Sequence, residues 1–170
     1  MKKVQNGKLK ENFLYISFHK ASGLLGRAIG LWTLGQYAHA EFIYNGEILL
    51  ANPGGVRKKQ YKPNPNADIY EVNYIVNIEK VVEFCEKQIG KGYDYKGIGL
   101  AQFLMGQGHN DDEWFCSELC LGAIDYAMDY KLTYGKKPLK KKGYQKFNPQ
   151  RLYVYLLKRE LILGGKINER

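Results

Sequence analysis

No apolar run in this 170-residue sequence approaches the ~18 residues that a membrane-spanning helix needs. The best stretch, Ile98 to Met105, is short and contains Gln102. The first residues lack the apolar core of a secretory signal, because Lys2 and Lys3 are followed by Gln5, Asn6, Lys8, Lys10 and Glu11. The chain is therefore expected to stay in the compartment where it is made. Cysteine is scarce. Cys85, Cys116 and Cys120 are too few for a disulfide framework, and none has zinc-ligand partners at suitable spacing. Cys116 and Cys120 are four apart, which is not a C-x-x-C redox arrangement, and a reducing compartment fits best. Also missing are G-x-G-x-x-G and Walker sequences, which argues against a nucleotide enzyme. No metal or organic cofactor is indicated.

What is present is the balance of an ordinary globular protein, 45% hydrophobic and 25% charged. With no internal repeat and no low-complexity linker, residues 1–170 are expected to form one domain. Residues 1–11 and 164–170 read as fraying termini and 131–147 as a basic loop. The net charge of +9 is unevenly placed. Seven lysines fall between Lys131 and Lys146 with no acid among them, and Arg57, Lys58, Lys59 and Lys62 form a second cluster. The plain reading is a solvated loop and a charged edge strand. The alternative is contact with an anionic polymer, nucleic acid or cell envelope.

The pattern of elements is α+β. Phe13 to Phe18 reads as a buried strand, and Leu24, Leu25, Ala28, Ile29 and Trp32 recur at helical spacing behind a Ser22 cap. Runs 38–44 and 47–51 flank Asn45-Gly46, a strong hairpin signal, since both residues tolerate positive φ. Asn52 to Gly55 is a second turn, leading to an edge strand over 56–61. A strand over 68–74 follows, then a helix over 78–89 ended by Gly90. A helical run over 97–105, a helix over 115–130 and a final strand over 152–163 complete the chain. Antiparallel hairpins and segregated helices exclude a doubly wound sheet.

Cys116 stands out by position, at the start of the strongest helix, where the macrodipole and unpaired N–H groups favour a thiolate. Asp112 and Glu113 nearby oppose that, so a basic partner is required. The candidate is His39, which period two places on one strand face with Glu41 and Ile43. His19, ending a strand, and His109, in a polar loop seven residues before Cys116, are the other candidates, and spacing does not exclude His109. A small buried cysteine and a hydrogen-bonded structural histidine are the plain readings of these residues taken singly.

The order His39…Cys116, histidine on a strand and cysteine opening a helix, resembles the circularly permuted branch of the NlpC-type papain-like superfamily. That branch includes YiiX-like proteins and the lecithin:retinol acyltransferase group, and the nearest likeness is to small phage-encoded members. The matching residues are Gly26-Arg27-Ala28-Ile29 with Trp32-Thr33, Tyr37-Ala38-His39-Ala40-Glu41, Gly54-Gly55-Val56-Arg57, Tyr93-Asp94-Tyr95 with Gly97, and Trp114-Phe115-Cys116-Ser117-Glu118-Leu119. The resemblance implies an antiparallel sheet packed on helices, with Cys116 as nucleophile, His39 as general base and acid, and the Cys116 N–H as oxyanion donor. Tyr93 would give a second oxyanion hydrogen bond. The family's polar orienting residue, about twelve after the histidine, is missing from Leu49-Leu50-Ala51. Asn52, reached by a bulge or shifted register, or Glu41 from the same strand, is expected to replace it, with Asn52 ranked first. Ser117 and Glu118 read as helix-start and surface residues.

Three functions follow as expectations. The first is a thiol peptidase or amidase acting on an amide, such as a peptidoglycan-type peptide, with the basic loop 131–146 against an anionic wall and the protein in a host cytoplasm or virion. The second keeps the dyad and changes the substrate, giving a thiol acyltransferase or a lipid or thioester hydrolase, with Leu24, Leu25, Ile29 and Trp32 lining an acyl groove. The third is a non-catalytic basic binding module using the lysines and tyrosines.

Overall fold

The computed structural model describes residues 9–21, 35–94, 112–129, 144 and 147–163. The expected helices over 24–32 and 97–105, His109, and all of the basic loop but Tyr144 and Phe147 lie outside them. The described residues form an α+β arrangement of a five-stranded antiparallel sheet, a short parallel pair and three helices.

Strand β1 (Leu14–Lys20) shows why the sheet forms where it does. Period two sends Leu14, Ile16 and Phe18 to one face, where all three are buried in the main core. Tyr15, Ser17 and His19 take the other face, where Tyr15 packs with Ile43 and Ile69 in a smaller cluster that Leu9 also joins. With partners on both sides and apolar cover on both faces, β1 is a central strand.

Its neighbours are β2 (Tyr37–Tyr44) and β5 (Ala67–Glu71), both antiparallel to it. From β2 the chain turns at Asn45 (φ 48°) and Gly46 (φ 76°), the two left-handed residues a tight hairpin requires. It returns as β3 (Glu47–Asn52) and turns again into β4 (Gly55–Gln60), the edge that carries Arg57, Lys58 and Lys59. The strand order is therefore β4-β3-β2-β1-β5.

Helix α1 (Ile78–Gln88) starts at Asn77, whose side-chain oxygen accepts from the Lys80 N–H at 2.9 Å. It buries Val81 and Cys85, and the chain leaves it through Gly90 at φ 89°. Helix α2 (Cys116–Ala127) lies against β2, β3 and α1 and is buried along nearly its whole length. Between them, β6 (Gly92–Tyr93) pairs in parallel with β7 (Glu113–Trp114).

Gly55 sets where that pair sits. Its φ is 87°, and a Cβ there would meet the Lys91 carbonyl oxygen at 2.4 Å. Only glycine lets the β3–β4 turn approach so closely. The contact is sealed by Val56 N–H to Lys91 O (2.9 Å) and Gly90 N–H to Val56 O (3.0 Å). The sheet thus holds residues 90–92, these hold β7, and β7 delivers the chain to Cys116.

The expected strand over 152–163 is corrected to a helix, α3 (Pro149–Lys158), with Ile162 beyond it bridging to Val72. Tyr153, Val154 and Tyr155 suit a strand by composition. Stronger helical signals prevail. Asn148 accepts from the Arg151 N–H at 2.8 Å, Pro149 fills the first turn where no N–H is needed, and Leu152 and Leu156, both fully buried, repeat at a helical interval. The strand expected to reach Tyr74 ends at Glu71, with Val72 in the bridge. No described helix is long and apolar enough to cross a membrane.

Candidate active site

Strands β1 and β2 bring two histidines together. His39 stands directly opposite His19 in the ladder, with ring centroids 5.2 Å apart and planes at 80°. Glu41, two residues along β2, projects to the same face and is 7% exposed. Its carboxylate accepts from both rings, Oε1 from His19 Nε2 at 2.9 Å and Oε2 from His39 Nε2 at 3.2 Å. A buried carboxylate needs such donors to remain charged. Burial alone would raise the Glu41 pKa, but the hydrogen bonds from His19 and His39 outweigh it and hold the group at about 2.

The Cys116 side chain lies within hydrogen-bonding reach of the His39 imidazole. Burial pulls the His39 pKa down. Its electrostatic interaction and hydrogen bond with Cys116, then those with Glu41, overcome this and lift it to about 10. Because Glu41 engages Nε2, Nδ1 is the nitrogen left to face the sulfur. Cys116 itself is 1% exposed, whereas the His39 side chain is 22% exposed, so the pair meets solvent on the histidine side.

The start of α2 is built to place the thiol. Phe115 holds the extended N-cap conformation (φ −86°, ψ 155°) and offers no side-chain cap. Glu118 takes over by accepting the Phe115 N–H at 3.1 Å. Glu118 is 1% exposed, which corrects its reading as a surface residue, and Ser117 is fully buried with its Oγ donating to the Phe147 carbonyl. Both tie the helix start in place.

Tyr93 pairs with Trp114 across β6 and β7, and its ring centroid lies 5.9 Å from that of Phe115, the residue before Cys116. Asn52 closes β3. The β2–β3 ladder runs to Phe42 and Leu49, and the same register continued would set Asn52 opposite His39. The Asn52 Oδ1 is buried without a hydrogen-bond partner among the described residues, so the bond that orients His39 comes from Glu41. The sequence offers His19 only as an alternative partner for Cys116, not as a second donor to Glu41. Its share in Glu41 depends on the β1–β2 register, which no hairpin fixes in the sequence.

The other two cysteines differ in kind. Burial pushes the thiols of Cys85 and Cys120 far up, and all three cysteines are free. Part of the basic cluster on β4 is neutralised, since Lys58 bridges Glu47 (3.3 Å) and Glu86 (2.7 Å). Among the described residues, no group of three or more His, Cys, Asp or Glu is arranged to hold a metal ion. No protein-family model, curated protein or solved structure matches this chain.

Proposed function

We propose that this chain is a cysteine-dependent hydrolase of amide bonds, a peptidase or amidase with a permuted NlpC-type papain-like fold. One observation carries the reading: a thiol at a helix N-terminus contacts an imidazole that a buried carboxylate orients from behind. An imidazolium held beside a thiol is the usual physical route to a thiolate nucleophile near neutral pH.

In this mechanism the Cys116 sulfur attacks the amide carbon, and the carbonyl π electrons move to oxygen. The backbone N–H at the start of α2 donates to that oxyanion, with the Tyr93 hydroxyl as second donor. The C–N bond then breaks as His39 gives its Nδ1 proton to the leaving amine, forming a thioester. Water attacks the thioester as His39 takes its proton, and the C–S bond breaks to release the acid and restore the pair. Glu41 stays ionised throughout, holding the ring.

The test is amide turnover on short peptides, peptidoglycan-type stem peptides included, by the full chain, Cys116→Ala and His39→Ala. Turnover that disappears in both variants supports the assignment. Turnover that survives Cys116→Ala, or its absence with every amide while acyl esters are cleaved, overturns it.

A further inference from the structure

The hydrogen bonds around His19 fix its tautomer. Asn64 lies in the turn before β5, and its Oδ1 accepts the Asn66 N–H at 2.9 Å, which settles which end of the amide is oxygen. Its Nδ2 therefore points to His19 Nδ1, 3.1 Å away. An amide NH2 only donates, so Nδ1 is the acceptor and the imidazole proton sits on Nε2. That proton is the one Glu41 Oε1 accepts at 2.9 Å. The chain of donors thus runs from a backbone-anchored side amide, through His19, to one oxygen of Glu41, leaving the other oxygen for His39 at 3.2 Å.

We propose that His19 is a positioning residue of this site: held by Asn64 in the Nε2–H tautomer, it pins one oxygen of Glu41 and thereby aims the other at His39. The inference rests on the reading of Cys116 and His39 as a reactive pair. Without His19, the Glu41 carboxylate loses a donor and can rotate about its last side-chain torsion, which is a broad and soft one. His39 then loses its fixed ring orientation and with it the alignment of Nδ1 on the sulfur. The geometry also explains an arrangement that the fold alone does not require, two imidazoles stacked edge-on over one carboxylate.

The experiment is the pH profile of Cys116 alkylation by iodoacetamide in the full chain, read by mass spectrometry, for the unmodified protein, His19→Leu, His19→Gln and Asn64→Ala. Loss of one hydrogen bond to a charged group predicts alkylation near pH 6 slowed about tenfold in His19→Leu, with the profile displaced to higher pH. His19→Gln keeps a donor at the same reach and returns the rate to within about twofold. Asn64→Ala, at an exposed turn, gives a shift of about threefold in the same direction. If His19→Leu fails to fold, as thermal unfolding will show, Asn64→Ala against His19→Gln decides. A reactive Cys116 whose profile is unmoved in His19→Leu and Asn64→Ala overturns the positioning role alone. A Cys116 no more reactive than Cys85 in the unmodified protein overturns the thiol reading, and the positioning role with it.

Discussion

His19 and His39 face each other across the β1–β2 ladder and donate to opposite oxygens of one carboxylate, that of Glu41. The pairing makes Glu41 the centre of the site's electrostatics. Its charge supports the imidazolium on one side, and the two rings together account for a charge that is almost fully removed from water.

Glu41→Gln tests that centre. The folded-state pKa of about 2 lies below the ordinary 4.5, so Glu41 contributes stability that is fully present above pH 4.5 and lost as pH falls toward 2. The contribution at neutral pH is on the order of 3 kcal/mol. His39 titrates with the opposite sign: Cys116 first and Glu41 after it raise its pKa, so it stabilises the fold below 6.5, and that stability is lost as pH rises through about 10. Urea unfolding of Glu41→Gln at pH 7 and pH 3 is expected to show a much smaller fall in stability on acidification than the unmodified protein. An equal fall in both would place the acid sensitivity elsewhere.

Gly55→Ala tests how the sheet positions the nucleophile. The added Cβ meets a backbone oxygen that cannot swing aside, at a φ that favours glycine. A loss of about 2–3 kcal/mol is expected in chemical denaturation. The segment 90–92 should also lose protection from amide exchange, because its bonds to Val56 depend on that approach. A neutral effect would mean that the turn does not set β6.

Asn148→Ala tests the helix that replaced the expected strand. Removing the cap on Arg151 N–H should cost about 1 kcal/mol, with Asn148→Asp restoring most of it. A strand at this place would be indifferent to the first change.

Much of this arrangement is legible in the residues themselves. The alternation of β1, the Asn45-Gly46 turn, the Gly90 stop and the buried run of α2 are local signals, and local physics decides them. At the end of the chain Tyr153, Val154 and Tyr155 favour a strand by composition, while the decisive Asn148-Pro149 cap lies just before the run 152–163. At the site, Cys116, His39 and Glu41 carry positional clues within a few residues. The choice between Glu41 and Asn52 is different in kind, since it depends on where β1 puts His19 relative to β2. Register between strands that no short turn connects is set by the whole core, so the second histidine and Asn64 could not be placed from the sequence.

The central claim, a reactive Cys116–His39 pair, is tested most directly by the pH dependence of alkylation at each cysteine, in the unmodified protein and in His39→Ala. The account predicts that Cys116 reacts well below pH 8 while Cys85 and Cys120, whose thiols burial pushes up, stay inert, and that His39→Ala abolishes the difference. Three cysteines of equal inertness, or a Cys116 indifferent to the loss of His39, would contradict it.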